Sequence, residues 1–449
     1  MNKFAIKNAC LVNEGKTFNA TVFILNDVIE RITQDENPDT SGYVVIDGTG
    51  KHLFPGIIDT HVHFRDPGLT HKGDMISESR AAAAGGVTSI ADMPNTIPQT
   101  TNIQHFNEKC RRAAEVCLVN FSFYLGATNE NLNDLLSADL SRVCGMKLFM
   151  GSSTGNMLTD NEKTLEDIFK NVRLPIVAHC EDEGRIRSNS LRVTSYMLQE
   201  GMQRNFSIHP LIRDAEACFL SSEKAVNLAT KYNTRLHLAH LSTQKELSLL
   251  RNDIPLTEKK ITGEVCVHHL WFSDNDYPEK GAQIKCNPAI KSLSDRDSLR
   301  DALKNNLLDS VATDHAPHTW EEKQRPYFES PSGIPLVQHA LPAMLEMAHQ
   351  GIFTLEQIVE KMCHNPAVLF HIEKRGFIRK GYYADLVLLD LNDSWKVETD
   401  NILYKCKWSP FQGVTFNSKI LTTFVNGYPV WDNGTINDAQ KGKQLQFKR

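Results

Sequence analysis

Eight short apolar runs that alternate with helical stretches constrain the fold of this chain more than any other feature. They are "GIIDTHVHF" (56–64), "VTSIADMP" (87–94), "VNFSFYLG" (119–126), "GMKLFMG" (145–151), "LPIVAHC" (174–180), "RLHLAHLS" (235–242), "TGEVCVHHL" (262–270) and "LDSVATDHA" (308–316). Helical segments such as "ISESRAAAAGG" and "AEACFLSSEKAVNLATKY" lie between most of them. Strand–helix units repeated eight times over roughly 250–300 residues predict an α/β fold, a (β/α)8 barrel. A doubly wound open sheet uses the same alternation, but eight units with long inserted loops favour the barrel.

Both chain ends read differently. "FAIKNACLV", "ATVFILNDVIERI" and "YVVIDGTGKHLF" alternate as strands do, and so do "ADLVLLDL" and "ILTTFVNGYPVWDNG". Asn426-Gly427 between two apolar runs is a hairpin signal. Neither end has enough strands to close a core alone. The expected arrangement is one discontinuous β-sandwich from residues 1–54 and 373–449, with the barrel over 55–372. A chain of 449 residues has room for both.

Composition narrows the setting. A net charge of -5 without a Lys/Arg cluster offers nothing to nucleic acid. No stretch has the apolar length of a membrane span, and Asn8 and Asn13 interrupt the first apolar run, so a signal-peptide core is not expected. Ten cysteines without a CxxC pair read as reduced thiols. The expectation is a soluble, cytoplasmic protein, a homodimer or higher homo-oligomer, with a small-molecule substrate and no nucleic-acid or membrane partner.

The chemistry gathers at strand ends, where a barrel places its active site. In a strand His61 and His63 project from one face while Val62 points away. The fourth run carries Lys147, the fifth ends in His179, the sixth in His240 and the eighth in Asp314. Imidazoles and a carboxylate suit a borderline divalent ion, with zinc first. Burying the ammonium of Lys147 is costly. A desolvated neutral amine can instead take up carbon dioxide, and the resulting carbamate can bridge two metals about 4 Å apart together with a hydroxide. Adjacent His268 and His269 on the seventh strand would point to opposite faces, and His237 opposite to His240, so these three are left out of the metal shell. "GTG" and "GSSTG" lack phosphate-loop spacing.

The motifs "PGIIDTHVHFRDPG", "ADMPNT", "GMKLFMG", "VAHCED", "LHLAHLST", "KCNPAIK" and "ATDHAPH" resemble, nearly end to end, the cyclic amidohydrolases of the amidohydrolase superfamily. Among these the long, two-domain dihydroorotase family is the nearest in pattern. The resemblance implies two zinc ions. His61, His63 and Asp314 would hold one, His179 and His240 the other, with carboxylated Lys147 and a hydroxide bridging them. It further implies that Arg65 binds a substrate carboxylate, that Asn95, Asn287 and His318 contact substrate, and that Gly333 gives backbone contacts. The implied reaction is reversible hydrolysis of the cyclic amide of (S)-dihydroorotate to N-carbamoyl-L-aspartate, the third step of pyrimidine biosynthesis, with Asp314 as the proton carrier. Allantoinases share the arginine. Dihydropyrimidinases typically place a tyrosine soon after the bridging lysine, where this chain reads "GSSTGNM". Lys147 separates the chain from dihydroorotases that bridge with aspartate. An allantoinase, a dihydropyrimidinase or hydantoinase, and a non-catalytic scaffold remain the alternatives. Gly151–Thr159, small and polar, suits a mobile lid.

Overall fold

The computed structural model describes residues 2–151, 157–197 and 204–449. Two parallel sheets curve into one barrel. The first contains Ile57–Val62, Val87–Asp92 and Asn120–Phe123. The second contains Leu125–Gly126, Met146–Phe149, Ile176–His179, Leu236–Leu238, Ile261–Cys266 and Ser310–Ala312. The run 119–126 therefore serves as one barrel strand broken at Tyr124, whose hydroxyl donates across the interior to the Thr60 carbonyl at 2.8 Å. The ring closes where Val62 pairs in parallel with His315 and the His63 amide donates to the His315 carbonyl at 2.7 Å. Strands covered on both faces need near-continuous apolar runs. Every residue of Val87–Asp92 and of Met146–Phe149 is buried.

The surrounding helices start where short polar residues can cap them. Asp74 accepts from the Ser77 amide at the head of Met75–Ala84, and Asp214 accepts from the Ala217 amide at the head of Ala215–Tyr232. That second helix ends on Asn233 in the left-handed conformation.

The chain ends build one sandwich. His52–Pro55 runs parallel to Lys3–Asn13 and antiparallel to Leu386–Asp390, so strands from both termini interleave in a nine-stranded sheet. Its own core includes Ile6, Leu11, Val22, Leu53, Leu386 and Phe424. The Asn426-Gly427 turn joins Lys419–Val425 to Tyr428–Asp432 with φ of 49° and 73°, the primed geometry that matches strand twist. Beyond the sandwich the chain returns to the barrel, where the Leu445 amide donates to the Phe121 carbonyl at 2.8 Å. Of the segment expected to be a lid, residues 152–156 lie outside the described residues. Its far end is pinned, because the Thr159 amide donates to the Phe149 carbonyl at 3.0 Å.

Candidate active site

The C-terminal ends of the barrel strands surround a solvent-open pocket of roughly 480 Å³. His61, His63, Arg65, Asn95, Lys147, His179, His240, Asn287, Asp314 and Gly333 line it, whereas His318 stands behind Arg65. His61 and Lys147 lie within strands and His179 ends one, while His63, His240 and Asp314 follow just beyond. Three of the lining residues adopt left-handed backbone, Arg65 at φ 65°, His240 at 39° and Asp314 at 48°. Each such conformation costs on the order of 1–3 kcal/mol, a cost the surrounding packing must hold in place.

The ring nitrogens converge in two groups. His63 Nε2 lies 3.0 Å and His61 Nε2 3.4 Å from the same oxygen, Asp314 Oδ1. His179 Nδ1 lies 2.9 Å from His240 Nε2. Carboxylate and amide oxygens orient three of the rings: Glu264 takes His61 Nδ1 at 2.5 Å, Asn95 takes His63 Nδ1 at 2.6 Å and Glu181 takes His179 Nε2 at 3.0 Å. A proton belongs on the nitrogen that faces an acceptor, so the opposite nitrogen presents its lone pair to the cavity. His240 Nδ1 has no partner among the described residues, so the same rule places the His240 proton on Nε2, shared with the His179 Nδ1 lone pair, and a cation would take the place of that proton. The Lys147 Nζ is buried and has no hydrogen-bond partner among the described residues. These orphaned and convergent donors fit a pair of divalent ions with a modified lysine between them.

Electrostatics agree with that fit. Burial lowers His63 to about 4 and pushes His240 well below the usual histidine range, so both are neutral imidazoles of the kind a divalent ion binds. Burial also lowers the Lys147 amine, which favours the uncharged, reactive form. For Asp314 burial opposes ionisation, but His61 and His63 overcome it and hold the carboxyl well below its ordinary value. Glu264 behaves alike, with burial outweighed by His61 and His237.

On the substrate side, Arg65 Nε donates to the Pro317 carbonyl at 3.2 Å, and its Nη2 meets His318 Nε2 at 3.2 Å. No carboxylate of the described residues forms an ion pair with this buried guanidinium. His318 Nδ1 faces Glu322 at 3.2 Å and Lys72 at 3.1 Å. Asn287 Oδ1 has no partner among the described residues. Gly333 presses so close to the eighth strand's loop that a Cβ would fall 2.5 Å from the Ala316 carbonyl oxygen and 2.9 Å from the His318 ring. Its amide already donates to the Lys285 carbonyl at 2.9 Å.

Sequence reading missed the second layer. Glu264, Glu181 and Asp92 are buried carboxylates that hold His61, His179 and the Phe64 amide. An acidic residue inside the apolar run "TGEVCVHHL" was the available signal for Glu264. One expectation needs correction. His268 and His269 do not sit on the seventh strand, which stops at Cys266, but on the short helix Val267–Trp271. Strand alternation does not govern them there, and with Cys266 they offer three ligand atoms within 4.8 Å of one another. His237 stays off the cavity, bonded to Thr262 at 2.8 Å.

The chain matches the Amidohydrolase family over residues 52–430 and belongs to it, and like its relatives it is a cyclic amide hydrolase. Its curated relatives carry a particular name. A dihydroorotase of Methanosphaera stadtmanae is 33% identical over 432 residues, covering 94% of this chain and 95% of that one. A dihydroorotase of Staphylococcus epidermidis is 30% identical over 429 residues, covering 95% and 99%. Among solved structures, an L-hydantoinase (dihydropyrimidinase) from Arthrobacter aurescens superposes with a TM-score of 0.92 at 26% identity over 99% of this chain and 100% of that one. A dihydropyrimidinase from Brevibacillus agri gives 0.87 at 23% identity over 100% of both, which speaks for the fold.

Proposed function

We propose that this chain is a zinc-dependent dihydroorotase, interconverting dihydroorotate and N-carbamoyl-aspartate in pyrimidine biosynthesis. The observation that carries the reading is Arg65. A buried guanidinium at the cavity wall without a carboxylate partner among the described residues suits an anionic ligand, and it fits a carboxylate bidentately. Of the cyclic amides under comparison, dihydroorotate brings a ring carboxylate, whereas dihydrouracil and hydantoin bring none.

His61, His63 and Asp314 would hold one zinc and His179 and His240 the other, with carboxylated Lys147 between them. When bound, such a pair supplies an acidified water and Lewis-acid polarisation of the ring carbonyl. The rest falls to the chain. Arg65, with Asn287, holds the carboxylate and ring edge so that one face of the amide meets the water. Asp314 Oδ2, the oxygen not facing His63, takes the proton from the attacking water and delivers it to the leaving nitrogen, because an amide anion is a poor leaving group. Ring closure uses the same groups in reverse. All ten cysteines are free thiols, which supports a reducing, cytoplasmic setting, and no helix among the described residues is long and apolar enough to cross a membrane. Turnover of dihydroorotate, allantoin and dihydrouracil by the zinc-loaded protein tests the assignment. Preference for dihydrouracil would overturn it in favour of the hydantoinase-type reading that the Arthrobacter structure suggests.

A further inference from the structure

Two buried lysines outside the metal cluster, Lys285 and Lys323, have no carboxylate partner among the described residues. Each spends its donors on backbone carbonyls instead. Lys323 Nζ reaches the carbonyls of Lys285 at 3.0 Å, Pro331 at 2.9 Å and Gly333 at 3.0 Å. Lys285 Nζ reaches those of Tyr327 at 2.6 Å and Ser330 at 2.5 Å. Three acceptors around one nitrogen need three donors, which only an ammonium supplies. Burial works against that charge, lowering Lys285 to about 7 and Lys323 well below its ordinary range, and the hydrogen bonds to the carbonyls oppose it.

What these cations join is specific. The Lys285 carbonyl lies two residues before Asn287, and Ser332 and Gly333 form the facing wall of the cavity. The Gly333 amide donates to that same Lys285 carbonyl at 2.9 Å, so the two segments are stitched together at one point, with Lys323 beneath it. On the other side, the missing Cβ of Gly333 lets the wall close on Ala316 and His318. The Ser332–Gly333 wall is therefore clamped between the loop after the eighth strand and the Lys323 ammonium.

We propose that Lys323 is a positioning residue for substrate binding, and that Lys285 supports it. Its ammonium fixes the spacing between the Asn287 segment and the Ser332–Gly333 wall, and so the fit of the ring that lies between them. The proposal rests on the cyclic-amide reading of this cavity but not on which cyclic amide is used. Neither lysine touches the metal cluster, so removing the cation should loosen substrate binding and spare the chemical step.

The test begins with the wild-type enzyme on dihydroorotate, allantoin and dihydrouracil, and the variants are then measured on whichever it turns over. A wild type that ignores dihydroorotate thus counts against the function, not against the tether. For Lys323→Met we expect KM to rise about tenfold or more while kcat stays within about threefold and zinc content is unchanged. In Lys323→Ala, added ethylammonium should lower KM again, because it returns the cation to the vacated cage. Should Lys323→Met fail to fold, Lys285→Met carries the same expectation with a smaller rise in KM. Unchanged KM, or parallel loss of kcat, zinc and KM without rescue by the amine, would overturn the proposal.

Discussion

The two ends of the barrel each bury a polar cluster, and they are built to opposite rules. At the N-terminal end, Arg375 pairs with Asp385, which also accepts from the Asn426 amide at 2.8 Å and from the Asn120 side chain at 3.2 Å. Asn120 reaches the Thr88 carbonyl at 3.0 Å and receives the Asn426 side chain at 2.8 Å. This cluster welds barrel to sandwich and pairs its charges, although Asn426 Oδ1 within it has no partner among the described residues. At the mouth, Lys147 Nζ, His240 Nδ1 and Asn287 Oδ1 are buried without partners among the described residues. Paired buried charge holds a fold together, whereas orphaned polar groups that converge on one cavity mark where a ligand would complete the protein.

The largest effect should come from the bridging position. Lys147→Ala should cut turnover by about a thousandfold or more and empty the metal site, while leaving the fold, because no described residue hydrogen-bonds that nitrogen. Short carboxylic acids should restore part of both, which metal analysis alongside activity would reveal. Two occupied metals beside an unmodified lysine in a well-resolved map would refute the bridge.

Arg375→Met should do the reverse. Breaking a buried pair leaves the Asp385 charge uncompensated and costs about 3–5 kcal/mol of stability. Denaturant titration should show the loss, and turnover per folded molecule should stay at the wild-type level. A fall in kcat at unchanged stability would erase the contrast between the two ends.

Arg65→Met lies lower on the scale. Loss of a charge-assisted bidentate contact is worth about 1.5–3 kcal/mol, so dihydroorotate turnover should drop tenfold to a few hundredfold at constant zinc. Trace activity on dihydrouracil should barely move, and Arg65→Lys should recover only part. Equal losses on both substrates in steady-state kinetics would shift Arg65 from substrate recognition to support of the metal cluster.

The smallest effect is a pH slope. Burial holds His63 at about 4 and lowers His179 and His240, against 6.5 in an unfolded chain. Below pH 6.5 the unfolded chain therefore binds more protons, and stability of the metal-free protein should fall steadily toward pH 4. Bound zinc should flatten the upper part of that slope, since protons must then compete with the metal. Thermal melts with and without chelator between pH 7 and 4 would show whether the two curves diverge.

Local pattern carried much of this protein. Period-two alternation made His61 and His63 neighbours before any fold was known, and a lysine inside "GMKLFMG" announced itself by the cost of burying it. Eight strand–helix repeats fixed the barrel and therefore which strand ends meet. Pattern failed where the chain changes its period, as at Cys266, where strand gives way to helix and carries His268 and His269 with it. It also failed wherever a role depends on a partner far along the chain. Nothing local pairs Glu264 with His61, Asp385 with Asn120, or Lys323 with the carbonyls of Lys285 and Gly333. Residue type and spacing determine which atoms can bind a metal or an anion, because those depend on covalent structure and strand geometry. Only tertiary closure decides which of those atoms lose water together and which find protein partners, and that difference separates the site from the scaffold.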